Sequence, residues 1–256
     1  MKILVSKMSI IPLVCNFSGD MLFPIFHSTQ YMDKGHEQVQ ANMTKWILGS
    51  ASPRRIELLR LTGQAFTVMT ADIEEPVFHP GDPVASSLAL AENKHQALLP
   101  QCRNMQRDSS PADPASTFLI TADTMVFAEN EILNKPADES DAQKMLHTLS
   151  GRMHVVVTAV VLSKSNSKGT ILKKESFFEQ TNVYFHDLSK EEVQAYVASG
   201  SPMDKAGAYG IQDDRGAFFV RRIEGDYYNV VGFPLQAFYQ VLKHSFIEEY
   251  NQCFSM

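Results

Sequence analysis

Long apolar runs are missing from this 256-residue chain. Without a hydrophobic stretch of about 18 residues, an ordinary transmembrane helix is not expected. Cysteine is scarce: Cys15, Cys102 and Cys253 are odd in number, lie far apart and lack metal-ligand spacing. That argues against a zinc site or a disulfide scaffold and suits a reducing compartment, the cytoplasm. An excess of basic charge is lacking too, since 23 Lys and Arg residues face 29 Asp and Glu residues, for a formal net charge of -6. Neither a broad nucleic-acid surface nor a membrane partner is expected, so the basic residues must act locally. No glycine-rich loop ends in Lys-Ser or Lys-Thr, which argues against the phosphate loop of kinases and GTPases. No internal repeat and no second domain boundary stand out.

What is present is a chain of 44% hydrophobic residues, enough for one continuous core. Residues 44–256 read as one domain. Residues 1–43 read as an N-terminal extension, expected to be partly disordered, because Pro12, Asn16, Gly19, Asp20 and Pro24 break up its mildly apolar stretch. It suits neither a secretory core nor an Arg-rich transit peptide.

The chain is organised around residues 46–59. Trp46-Ile47-Leu48 reads as a short buried strand, Gly49 to Ala51 as a turn, and Ser52-Pro53 as the N-cap and first position of a helix. The first turn of that helix has unpartnered N–H groups and the positive end of the helix dipole, and Arg54 and Arg55 fall within it. This is a candidate phosphate site. The plainer alternative is an ordinary strand-to-helix turn with two solvated arginines.

Further along, Ala65 to Met69 reads as a second strand running into Asp72, Glu74 and Glu75, carboxylates that are costly to group unless solvated or bridged by a cation. A helix opening at Pro83 carries Lys94 and is expected to end at Pro100, with a polar loop over residues 104–116. Thr117 to Phe127 is an apolar β run interrupted by Asp123. A carboxylate at the end of a buried strand needs a cationic partner, and strand ends are where open α/β sheets collect ligands. Asp123 is therefore a site candidate, beside the reading of a hydrogen-bonded structural aspartate. Lys135 precedes Pro136, where the chain is held extended. A helix is expected over 140–149, then a long hairpin turning over 163–169 and ending at Phe185. Ser189 and Glu192 form a capping box for a further helix, with Leu188 and Val193 as its hydrophobic staple. Glycines in 204–212 allow close approach of backbone to a ligand, with Lys205 and Gln212 near the two ends. Phe218 to Val220 reads as a strand, and a final helix begins near Leu235.

Ser50-Ala51-Ser52-Pro53-Arg54-Arg55, Ala122-Asp123-Thr124, Lys135-Pro136, Leu149-Ser150-Gly151, residues 204–212 and Asn229-Val230-Val231-Gly232 resemble, in order, the blocks of the Maf family of nucleoside triphosphate pyrophosphatases. The resemblance covers about Thr44 to Leu242. It implies an α/β fold of the Maf/ITPase-like kind, with an elongated, mixed, twisted sheet flanked by helices, two lobes around a deep cleft, and usually a homodimer. It also implies hydrolysis of a nucleoside triphosphate to the monophosphate and pyrophosphate. Ala122-Asp123-Thr124 and Gly210-Ile211-Gln212 resemble the branch acting on dTTP and UTP. The rival readings are a pyrophosphatase for 7-methyl-GTP or another modified purine nucleotide, and a non-catalytic nucleotide-binding regulator of cell division.

By the same resemblance, Ser50, Arg54, Arg55, Thr124, Lys135, Lys205 and Gln212 would bind substrate. Asp123, Glu75 and Lys94 would be catalytic, with Glu75 and Asp123 holding a divalent metal cation, magnesium or manganese, or alternatively cobalt. Gly49, His95 and Asn134 depart from the family pattern, though none of the three removes a charged group. Two roles stay open for Asp123. An ordinary aspartate, with a pKa of about 3.9, is a poor proton acceptor at neutral pH, which favours the metal-holding role over the base.

Overall fold

The computed structural model describes residues 44–70, 73, 81–107, 116–213 and 215–254. The expected extension over 1–43 and the acidic residues Asp72, Glu74 and Glu75 lie outside them. Trp46, Ile47 and Leu48 are apolar on both faces of a strand, which calls for a place inside a sheet covered on both sides. That is where β1 (Thr44–Leu48) sits, between parallel neighbours β2 (Phe66–Val68) and β3 (Ser116–Ala128). The connections are α1 (Pro53–Arg60), between β1 and β2, and α2 (Pro83–Arg107), which precedes β3. Glu129 and Asn130, with φ of 51° and 67°, make the tight turn that folds β4 (Glu131–Leu133) back onto β3.

After α3 (Glu139–Leu149), β5 (Met153–Asn166) and β6 (Ile171–Phe185) form the long hairpin. Then come α4 (Lys190–Val197), β7 (Val220–Glu224), α5 (Tyr227–Val231), α6 (Leu235–Ser245) and α7 (Ile247–Phe254). Among the described residues the sheet order is β2-β1-β3-β5-β6-β7, with β4 paired to β3, and the sheet is mixed. The α/β fold with a mixed sheet thus matches expectation.

Side-chain alternation along β3 divides the core. Phe118, Ile120 and Ala122 face a cluster with Trp46, Phe238 and Phe246, where the Trp46 and Phe118 ring centroids are 4.8 Å apart. Leu119 turns the other way, joining Ile47 with Leu98 and Cys102 of α2. The expected end of α2 at Pro100 is corrected by this packing. Leu98 and Cys102 flank the proline and are both buried, so α2 continues to Arg107, and residues 104–107 are helical. Burial of those side chains offsets the missing backbone hydrogen bond and the ring clash, a cost of about 3 kcal/mol.

Three further boundaries differ. The hairpin turn is shorter than expected, because β5 runs to Asn166, whose side chain accepts from the N–H groups of Lys168 and Thr170. Phe218 lies in a 3-10 turn (Gly216–Phe219), and β7 begins at Val220. Finally, α6 is not the last helix: α7 follows it, tied down by Glu249, which is 1% exposed and meets Thr44 at 2.9 Å and Lys164 at 2.8 Å. The local caps agree with the sequence. Ser52 caps α1 with Pro53 at its start, and the Ser189–Glu192 capping box of α4 is present.

Two histidines are buried with their rings neutral. Burial lowers the pKa of His95 from 6.5 to about 4, with Lys174 adding to the effect and Glu92 opposing it, and burial lowers that of His154 to about 3. The folded state therefore binds fewer protons than the unfolded one, so the stability from these groups is full above about pH 6.5 and is lost as pH falls towards 4 and then 3. At about 1.4 kcal/mol per pH unit per histidine, lowering the pH from 6.5 to 4.5 should cost roughly 5 kcal/mol in all. Urea unfolding at pH 7, 5.5 and 4.5 measures this, and a flat stability across that range would refute it.

Candidate active site

The opening in the sheet follows from unequal strand lengths. β1 ends at Leu48 opposite Ile120, the Gly49 N–H still reaches the Ile120 carbonyl at 2.7 Å, and β4 joins β3 only from Val126. Along residues 121–125 one edge of β3 thus pairs with neither β1 nor β4, while the other is paired to β5. A cavity of about 1060 Å³ lies there. Asp123 is in the middle of β3, not at a strand end as expected, but it sits beyond the C-terminal end of β1, where ligands collect in open sheets.

Consecutive residues of β3 point to opposite faces. Asp123, 8% exposed, turns to α2 and forms an ion pair with the Lys94 ammonium through Oδ1. Lys94 is therefore no ordinary surface lysine: its ammonium offsets the cost of a carboxylate held almost out of water. Thr124 turns to α1 and α5, where its hydroxyl accepts from Arg55 Nη2 at 2.8 Å.

The two arginines in the first turn of α1 part company. Arg55 points inward and is 8% exposed, donating from Nε to the Gly232 carbonyl at 2.9 Å and from Nη1 to Ser50 Oγ at 3.2 Å. Burial lowers its pKa, with Asp123 opposing and Arg54 adding to the shift, yet a guanidinium keeps its charge. Arg54 points outward, donating to Asp204 Oδ2 at 2.9 Å and to the Asp204 carbonyl at 3.3 Å. Both line the cavity.

Asp204 also takes the ammonium of Lys205 at 2.6 Å, and Asp213 meets the same ammonium at 3.1 Å. The result is a chain of charges from Arg54 through Asp204 and Lys205 to Asp213. Burial raises the pKa of Asp204, but its bonds to Lys205 and Arg54 outweigh this and the net shift is downward. Lys205, expected to contact substrate, lines the cavity, and Asp204 and Asp213, not among the expected site residues, hold its ammonium. The Asp204-Lys205 dipeptide was the one signal that could have flagged the pair.

This segment is pinned to the sheet by small residues and one aromatic. Gly207 has φ of 69°, its N–H reaches the Asn134 carbonyl at 3.2 Å, and a Cβ there would stand 2.9 Å from Val126 Cγ1. Tyr209 meets His154 Nε2 through its hydroxyl at 2.8 Å, and burial raises the pKa of that phenol. Gln212, exposed on the following turn, and Lys135, exposed after β4, complete the lining together with Ser50.

A buried polar ladder supports Arg55 from behind. Asn229 on α5 donates from Nδ2 to the Val156 carbonyl at 3.0 Å and to Thr181 Oγ1 at 2.9 Å. Its backbone carbonyl accepts from Thr158 Oγ1 at 3.1 Å, and Thr158 meets Thr124 at 2.9 Å. The ladder holds α5, and with it the Gly232 carbonyl that receives Arg55. Neither α5 nor this role of Asn229 was foreseen, although the Asn229–Gly232 block marked the place.

Of the residues expected in the site, Ser50, Arg54, Arg55, Lys94, Asp123, Thr124, Lys135, Lys205 and Gln212 all line this one cavity, while Glu75 lies outside the described residues. No group of three or more His, Cys, Asp and Glu side chains suited to a metal collects among the described residues. Of the two carboxylates expected to hold a metal, the described one, Asp123, is a hard oxygen ligand. It fits a magnesium-like ion, which is commonly held by one or two carboxylates together with substrate phosphates. No helix among the described residues is long and apolar enough to cross a membrane.

The sequence pattern of the Maf-like protein family matches residues 45–245. A dTTP/UTP pyrophosphatase of Bacillus cereus (strain ATCC 10987 / NRS 248) is 40% identical over 203 residues, 79% of this chain and 90% of the relative. A dTTP/UTP pyrophosphatase of Geobacillus sp. (strain WCH70) is 42% identical over 193 residues, 75% and 94% of the two chains. Among solved structures, a nucleoside-triphosphatase / dITP/XTP pyrophosphatase from Mycobacterium abscessus aligns with a TM-score of 0.34 and 12% identity, covering 57% of this chain and 76% of that one.

Proposed function

Because the chain belongs to the family of Maf-like proteins, we propose that it hydrolyses pyrimidine nucleoside triphosphates, dTTP and UTP, to the monophosphate and pyrophosphate. Water adds to the α-phosphorus, the bond from that phosphorus to the oxygen bridging to the β-phosphorus breaks, and pyrophosphate leaves. Such a reaction needs cations on the developing charge and a group that orients and deprotonates the water. What supports the reading is the gathering of Arg54, Arg55, Lys94, Lys135 and Asp123 around one cavity beside the start of α1.

Arg55, locked at Gly232, Ser50 and Thr124, presents its remaining N–H groups in a fixed fork suited to phosphate oxygens. Lys135, exposed on the cavity wall, is a point charge for the leaving pyrophosphate. Asp123 would hold a divalent cation of the magnesium or manganese type, with Glu75 a second ligand. That cation, when bound, supplies charge neutralisation and a more acidic water. With Lys94 on Oδ1, Asp123 keeps Oδ2 for the cation or for the proton of the water. Gln212, with one donor and one acceptor group, suits the edge of uracil or thymine. The catalytic unit is residues 44–256, acting in the cytoplasm as a homodimer.

Profiling a panel of nucleotides with magnesium or manganese tests the proposal. UTP and dTTP, which differ by a 5-methyl group and a 2′-hydroxyl, should both be turned over, since their bases present the same hydrogen-bonding edge and the methyl group is worth only about 1–3 kcal/mol in a pocket. GTP, 7-methyl-GTP and ITP should be cleaved far more slowly, because a wrong base edge leaves buried polar groups unpaired. Equal turnover of GTP and UTP would contradict pyrimidine selectivity, and bound but uncleaved UTP would contradict catalysis.

A further inference from the structure

Behind the Lys94–Asp123 pair lies a second, fully buried polar cluster that the reaction does not use. His95, next to Lys94 on α2, is 0% exposed, and its two ring nitrogens reach two different strands. Nδ1 lies 3.1 Å from Thr121 Oγ1 on β3 and Nε2 lies 2.8 Å from Ser163 Oγ on β5. Thr121 Oγ1 donates its one hydrogen to the carbonyl of Ala91, one helical turn before His95, at 3.0 Å. The threonine must then accept from the ring, so Nδ1 carries the hydrogen and Nε2 accepts from the Ser163 hydroxyl. One turn of α2 is thereby fastened at three points to β3 and β5.

Thr121 and Asp123 share a face of β3, two residues apart. The fastening therefore sets where Lys94, on the helix, meets Asp123, on the strand. Gly49 belongs to the same arrangement. A Cβ at that position would stand 2.6 Å from Thr121 Cγ2 and 2.5 Å from Leu98 Cδ1, so the missing side chain at the end of β1 makes room for the threonine. His95 and Gly49 thus both meet Thr121.

We propose that His95 is a positioning residue: its ring, bonded to Thr121 and Ser163, locks α2 on the sheet in the register that places the Lys94 ammonium on Asp123. The inference rests on the pyrophosphatase reading for its kinetic consequence but not for its geometry. A glutamine can offer the same donor to Thr121 and the same acceptor to Ser163, whereas a leucine of similar size offers neither.

The test compares His95→Leu, His95→Gln and Thr121→Val by UTP kinetics and, without nucleotide, by the 15N signal of the Lys94 ammonium. His95→Leu and Thr121→Val should lower kcat about 10- to 100-fold, as small misplacements of catalytic groups do, with KM within about twofold. His95→Gln should stay within about threefold of wild type in kcat. The Lys94 signal should shift in the two defective variants and hold in His95→Gln. A folded His95→Leu protein with wild-type kcat and an unchanged Lys94 signal overturns the proposal, as does a His95→Gln protein as impaired as His95→Leu. Should wild type cleave no nucleotide, the pyrophosphatase reading falls while the Lys94 signal still decides this one.

Discussion

Asp123→Asn is expected to lower kcat for UTP by about 1000-fold, within the range that loss of a positioned acid–base group produces. The substitution keeps size and shape, and the amide oxygen can still accept from Lys94. It removes the negative charge, and with it both a ligand for a divalent cation and an acceptor for the proton of the attacking water. It also leaves the Lys94 ammonium without its counter-charge beside the cavity. Kinetics and equilibrium binding of UTP, run side by side over a series of metal concentrations, read the outcome. Binding retained with turnover lost assigns the proton role to Asp123. Loss of both that is partly restored by more metal assigns the ligand role. Turnover near that of wild type would remove Asp123 from the chemistry altogether.

Arg55→Lys should be nearly as damaging and, unlike Asp123→Asn, should weaken the fold as well. The guanidinium bridges three acceptors on three parts of the chain: Gly232 after α5, Ser50 after β1 and Thr124 on β3. A lysine ends in one nitrogen and cannot span them. The Gly232 carbonyl would lose its charged donor, a cost of about 1–3 kcal/mol for a buried polar group, and the fork aimed at phosphate would be lost. A fall in kcat/KM of about 100-fold or more is expected, with a lower urea midpoint. Arg54→Lys is the built-in contrast. Its partner Asp204 has a side chain 55% exposed, so the stability cost should stay under about 1 kcal/mol. Equal losses of stability and activity in the two variants would mean that the arginines share one role instead of dividing into an inner brace and an outer ion pair.

Several features were legible because their causes are short-range. Ser52-Pro53 announces a helix start, since a hydroxyl acceptor and a fixed φ act within one turn. The Ser189–Glu192 box and the Glu129-Asn130 turn are written within four residues. The sequence blocks around Arg54, Asp123 and Lys135 pointed to the family and supply part of the cavity lining. Short-range signals misled where burial competed with them, as at Pro100, whose neighbours Leu98 and Cys102 hold α2 together across the proline.

By itself, then, the sequence determined the α/β class, the family and several helix starts, and it marked charged residues of which the described ones line one cavity. Only the tertiary structure decided what each of them does there: that Arg55 is a buried brace while Arg54 pairs with Asp204, that Lys94 answers Asp123, and that Lys205 is shared between two carboxylates. The reason is separation along the chain. Lys94 and Asp123 are 29 residues apart and Arg55 and Gly232 are 177 apart, and no periodicity or capping pattern acts over such distances. What joins them is the packing of helices on both faces of one sheet, and the gap between β1 and β4 that this sheet leaves open.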